Sequence, residues 1–181
     1  MYDTAHDLID ALEAGPDALE GVVAGIDDEL ARRARGGDEG WSVVEVVCHL
    51  RDAEERAGER MRMIRDEDDP QLAGYDQDAW AIERGYAADD LPEALAAFAR
   101  HRASHVAALR ALPPGAWGRA GTHDEWGRVT IENHTIHIAT HDVQHLAQIS
   151  RALRDAKGPR DAKGPRDAPG ARRARHVDTA R

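Results

Sequence analysis

Three histidines in this chain are set apart by their spacing. His141 and His145 lie four residues apart in His141-Asp142-Val143-Gln144-His145-Leu146-Ala147-Gln148-Ile149, a stretch that reads as helix. At 3.6 residues per turn both rings share one face, with Cβ atoms about 5–6 Å apart, near enough to hold one ion. A third imidazole, His49, lies two turns into Trp41-Ser42-Val43-Val44-Glu45-Val46-Val47-Cys48-His49-Leu50, where Ser42 and Glu45 form the capping pair of a helix start. One ring from one helix and two from another make a three-imidazole facial site. Three neutral ligands leave coordination positions open for water or substrate, as catalytic rather than closed structural sites do. Imidazoles accept Zn, Ni, Fe or Cu, so the ligand type does not choose the divalent metal ion.

The bland alternative is chance, since the chain has ten histidines and His134 and His137 share the last helix with the pair. Against chance, Ile138, His141, His145 and Ile149 advance by three, four and four residues, one stripe facing a core. Val46, Leu50 and Ala53 place His49 inward in the same way. An imidazole turned into an apolar interior needs a partner, and a metal supplies one.

Other residues have simpler readings. Glu45 is explained by capping, with a hydrogen bond to a ligand as the sharper alternative. His137 reads as a surface or supporting histidine, and Asp142 and Gln144 as solvated. Cys48 reads as a small buried residue, because no base other than an assigned ligand stands near to activate it. Arg51 and Arg56 are expected to pair along the helix surface with Glu54, Glu55 and Glu59. Tyr75, Asp76 and Trp80 are candidates for the mouth of a pocket.

Four main helices must position these groups. Residues 3–13 and 17–26 have helical apolar spacing, with Gly15-Pro16 as a break or kink. Residues 27–35 add a turn or two before Gly36-Gly37. The second main helix runs from about Ser42 to Arg65 on Val43, Val46, Val47, Leu50, Ala53, Ala57, Met61 and Ile64. The third spans roughly 91–112 and the fourth 131–153, with Thr130 as its N-cap. Between them, 70–89 is long for a bundle connection and 116–129 reads as an irregular crossover. No strand pattern carries conviction, so the fold class is all-α, a four-helix bundle over residues 1–153.

At 181 residues one domain can bury a sizeable core. The low aromatic content, 4% with the single Phe98, means that the core is built from Ala, Leu, Val and Ile. Residues 154–181 repeat Arg-Asp-Ala-Lys-Gly-Pro and hold nine Lys/Arg against four Asp; the reading is a disordered basic tail. The whole chain carries −10, so the domain itself is near −15, which argues against a nucleic-acid surface. No apolar run of membrane-spanning length and no signal peptide are present, and one cysteine excludes an internal disulfide. The expectation is a cytoplasmic protein with no membrane or nucleic-acid partner.

The two motifs taken together resemble the DinB-like/YfiT-like superfamily of metalloenzymes. They are Trp-Ser-x-x-Glu-x-x-x-His-Leu at 41–50 and His-Asp-x-x-His-Leu-x-Gln-Ile at 141–149, and the similarity covers about residues 8–153. The resemblance implies a four-helix bundle binding a divalent metal (Zn, Ni or Fe) through His49, His141 and His145. It also implies an enzyme acting on a small-molecule substrate, as a hydrolase or as a transferase using a low-molecular-weight thiol. The alternative is a non-catalytic metal-binding stress-response protein, and the third reading is a structural helical homodimer with satisfied core histidines. The pair lacks the glutamate of His-Glu-x-x-His, which disfavours peptidase chemistry.

Overall fold

The computed structural model describes residues 4–37 and 40–158. The chain runs α1 (Thr4–Glu13), α2 (Gly15–Val23), α3 (Asp28–Arg33), β1 (Arg35–Gly36), β2 (Trp41–Ser42), α4 (Val43–Asp66), β3 (Gln71–Leu72) and α5 (Gln77–Glu83). A 3-10 turn, Tyr86–Ala88, precedes α6 (Leu91–Arg110). A second, Ala116–Gly118, precedes β4 (Ala120–His123), β5 (Gly127–Thr130) and α7 (Ile131–Lys157). Helices α4, α6, α7 and the kinked pair α1–α2 are the four members of the bundle: α4 packs on α6 and α7, and α1 and α2 pack on both of these from the other side.

The helix starts follow from short polar signals. Ser42 accepts from the Glu45 N–H while Glu45 accepts from the Ser42 N–H, closing the expected capping box at α4. Thr130 caps α7 by accepting from the Asn133 N–H. All eight apolar positions expected on α4 are buried. Helix α7 runs four residues past the expected end at 153, to Lys157, before Gly158 turns the chain at φ 72°. The tail reading for 159–181 falls outside the described residues.

The kink between α1 and α2 is continuous helix rather than a break: the Ala14 N–H bonds the Asp10 carbonyl and the Ala18 N–H the Ala14 carbonyl. Pro16 lacks the N–H that would reach back four residues to Leu12. The Leu12 carbonyl freed in this way accepts from Arg102 Nη1 at 2.8 Å. The proline thus hands a backbone acceptor to a buried side chain, and Gly15 makes the room: a Cβ there would lie 2.6 Å from the same Nη1.

The helical bundle is as expected, and to it are added strands that the sequence pattern does not show. Two small sheets are present, β1–β2 antiparallel, and β3–β4–β5 with β3 parallel to β4 and β4 antiparallel to β5. The crossover at 116–129 is therefore an ordered hairpin, and the connection at 70–89 contributes a strand and a short helix. Strands of two to four residues carry too few positions for period-two alternation to register. Gly121 is required where the strands meet, because a Cβ there would stand 2.8 Å from the Pro70 carbonyl oxygen.

Candidate metal centre

The three histidines meet. His49 Nε2 lies 3.0 Å from His141 Nε2, which lies 3.1 Å from His145 Nε2. One ligand atom from each falls within 4.8 Å of the others, the one such group of three or more metal-ligating side chains among the described residues. His49 comes from the second turn of α4, while His141 and His145 come from successive turns of α7. Their stripe is flanked by buried Ile138 and Ile149, as the spacing requires.

Three clustered imidazole nitrogens suit a cation and not one another. Nitrogens at about 2.0–2.1 Å from a common ion stand roughly 2.9–3.4 Å apart for angles between octahedral and tetrahedral. The two Nε2 separations fall in that window. Burial, then the neighbouring His145, pushes the His49 pKa down to about 3; the same causes with His49 added push His141 to about 2. Both rings are therefore neutral at pH 7, the form that ligates. His145 Nδ1 lies 2.7 Å from Gln148 Oε1, an acceptor, so the proton sits on Nδ1 and the Nε2 lone pair faces the cluster. Gln148 is itself fixed, donating from Nε2 to the Gly36 carbonyl at 2.8 Å.

A cavity of about 290 Å³ opens on this cluster. Its walls are His49, Ala53, Ala57 and Arg60 of α4 and His137, Ile138 and His141 of α7. Gly74, Tyr75 and Gln77 cover it from the 70–89 connection, and His123, Glu125 and Trp126 from the hairpin. Both long connections thus do the roofing. Tyr75 lines the space, whereas Trp80 stands behind it, stacked on Tyr75 with centroids 4.2 Å apart and topped by the Arg84 guanidinium at 3.7 Å. Asp76 caps α5 and takes no part in the lining.

Several sequence readings are corrected here. Asp142 is buried, not solvated: its Oδ2 accepts from Arg102 Nη1 at 2.7 Å. Glu54 is buried too, accepting from Arg102 Nη2 at 2.9 Å and from His105 Nδ1 at 2.9 Å. Arg51 pairs with Asp52 and Asp89 instead of the helix-surface glutamates; Arg56 does pair with Glu59. Glu45 is committed to the cap and to Arg35. Cys48 is buried, and burial pushes its thiol up to about 12, which removes it as a nucleophile at neutral pH. His137 lines the cavity one turn before His141, with ring centroids 6.0 Å apart. The sequence reading assigns no role to Arg60, to His123 and Trp126 of the crossover, or to the Gln148 of the 141–149 motif. Only Gln148 had a local signal, its place three residues after His145.

A helical bundle that converges three imidazoles beside a roofed cavity has the architecture of a metal-site protein. The chain matches the DinB superfamily over residues 11–149 and belongs to it. It is 30% identical over 149 residues to a protein of Oceanobacillus iheyensis described as "Putative metal-dependent hydrolase", covering 80% of this chain and 83% of that one. It is 28% identical over 148 residues to Bacillus subtilis YfiT, of the same description, covering 81% and 82%. The solved structure of YfiT, described as "a probable metal-dependent hydrolase with an unusual four-helix bundle topology", superposes with a TM-score of 0.79 at 26% identity over 87% of this chain and 90% of that one.

Proposed function

We propose that this protein is a metal-dependent hydrolase of small molecules, with His49, His141 and His145 holding one divalent ion. The observation that carries the reading is the convergence of three imidazole nitrogens, with two separations of 3.0 and 3.1 Å, beside a cavity that His49 and His141 line. The relatives' description as metal-dependent hydrolases supports it. A divalent ion at such a site lowers the pKa of water, or of a thiol, enough to generate a nucleophile near neutral pH.

The protein's own contribution is positional. Gln148 holds the His145 tautomer, and burial keeps His49 and His141 unprotonated. Tyr75 and Trp126 close the cavity against bulk water, and its volume of about 290 Å³ suits a small ligand rather than a polypeptide. Transfer to an external thiol is the second reading, favoured by one fact: the only cysteine, Cys48, is bound to Asp89 at 3.4 Å and held protonated, so any thiol must arrive from outside.

Elemental analysis after chelation and re-addition of Zn, Ni or Fe tests the ligand set. One equivalent of metal is expected in the wild type and in His101→Ala, and sharply less in His49→Ala, His141→Ala or His145→Ala. Full occupancy in His145→Ala overturns the assignment. Screening metal-loaded protein against esters, amides and thiol–electrophile pairs then separates hydrolysis from transfer. No turnover in either set leaves a metal-binding protein without catalysis.

A further inference from the structure

The cavity holds a buried cation that forms no ion pair among the described residues. Arg60 stands three turns beyond His49 on α4, is 5% exposed, and lines the same space. Its guanidinium lies over the rings of Tyr75, at 5.9 Å, and Trp126, at 5.7 Å. Nη2 donates to the Ala73 carbonyl, and Nε has no partner. Among the described residues no carboxylate comes within ion-pair distance of it. The contrast with Arg102 is instructive, since that equally buried arginine faces both Glu54 and Asp142.

Arginine cannot shed its charge, so a buried guanidinium with one carbonyl and two ring faces is incompletely compensated. A second unsatisfied donor lies on the same wall. His123 is 2% exposed and stacked flat on Trp126 at 4.1 Å. Its Nδ1 accepts from the Glu125 N–H at 3.2 Å, which leaves the proton of the neutral ring on Nε2, where it has no partner. The two carboxylates nearby are both exposed to solvent and neither pairs with Arg60: Asp124 accepts from the Gly74 N–H and lies 3.2 Å from His123 Nδ1, and Glu125 stands at the edge of the cavity.

We propose that Arg60, assisted by His123, is the seat for an oxyanion carried by the substrate. The substrate class is then small molecules with a carboxylate or phosphate at one end and the reactive carbon at the other, spanning the cavity from Arg60 to His49 and His141. The inference rests on the reading that this cavity receives the substrate, but not on the metal. A buried guanidinium–oxyanion contact is charge-assisted and selects against a neutral isostere.

Calorimetric titration of the full chain with hexanoate, hexyl phosphate and hexanamide tests the proposal without knowledge of the substrate. At least one anion is expected to bind about tenfold or more tightly than the amide. The stronger of the two identifies the oxyanion. Arg60→Gln is expected to abolish the preference, Arg60→Lys to keep part of it, and His49→Ala, which disables the metal site, to keep all of it. Equal binding of anions and amide by the wild type overturns the seat, and this comparison needs no variant to fold. Survival of the preference in a folded Arg60→Gln protein overturns it as well. Loss of metal binding with the anion preference intact removes the metal reading alone.

Discussion

Replacing Arg102 by methionine is the sharpest test of how the bundle holds its ligand helices. The Arg102 side chain is 1% exposed and joins all four members: the Leu12 carbonyl of α1, Glu54 of α4, its own α6, and Asp142 of α7. Methionine approximates the stem and leaves two buried carboxylates without their cation. Removing one partner of a buried ion pair costs about 3–5 kcal/mol. Two carboxylates and a backbone carbonyl are stranded here, so the upper part of that range applies. For a domain of this size each kcal/mol lowers Tm by about 2–4 °C, which gives a loss of roughly 10–20 °C. Urea unfolding followed by far-ultraviolet circular dichroism at pH 7.5 and pH 5 measures it.

The pH dependence supplies the signature. In the wild type, burial tends to raise the Glu54 pKa, but the His105 hydrogen bond and the Arg102 charge outweigh it and hold the group below its ordinary value. That contribution is present above the unfolded carboxylate pKa and is lost as pH falls through the folded one. Asp142 is raised by burial despite Arg102. In the variant, Asp142 rises further and Glu54 loses part of what held it down. Groups with raised folded values gain stability as pH falls, so the deficit should narrow from pH 7.5 to pH 5. A cost under about 1 kcal/mol, or a deficit that widens on acidification, would refute the view that Arg102 neutralises these carboxylates.

Two further outcomes follow from the site itself. Gln148→Leu removes the acceptor for His145 Nδ1 and the donor to Gly36, and metal affinity measured by competition with a chromogenic chelator should fall about 10–100-fold. An unchanged affinity would show that the tautomer needs no support. Metal-free protein should lose stability as pH falls below 6.5, because His49 and His141 stay neutral in the fold, with pKa values near 3 and 2, while the unfolded chain takes up protons. Each group contributes about 2 kcal/mol of loss between pH 7 and pH 5, readable in urea midpoints, and a flat profile would contradict their burial as neutral rings.

The site was legible where chemistry and period coincided, and less so where it depended on distant partners. His49, His141 and His145 sit on regular helical stripes with caps at Ser42 and Thr130, so local pattern alone put them on facing surfaces. Asp142 and Glu54 misled because a charged residue beside a buried stripe normally meets water. Their partner, Arg102, lies 40 and 48 residues away, and no spacing rule announces it. Arg60 carries no local signal that sets it apart from the other arginines of α4, because the roof that buries it comes from distant segments. The hairpin that does so is built from four-residue strands around Gly121, too short to show a period. The roles of the two connections could be inferred from length and aromatic content, but not which aromatic faced inward: Tyr75 does and Trp80 backs it.

The parallel pairing of β3 with β4 has a mechanical meaning. β3 follows α4 closely and β4–β5 leads directly into α7, so the ladder from Gln71–Leu72 to Thr122–His123 is a cross-tie at one end of the two ligand-bearing helices. At the other end the Gln148 bond to Gly36 ties α7 to β1, the partner of the strand that leads into α4. The helices carrying His49 and the 141/145 pair are therefore braced like two rails fastened at both ends, by a backbone ladder at one and by the Gln148 side chain at the other. The ceiling inherits the same constraint: its two halves share one sheet, so they cannot swing apart as independent flaps. The parts of the rim left free of this ladder are side chains, Glu125 and Trp126 among them.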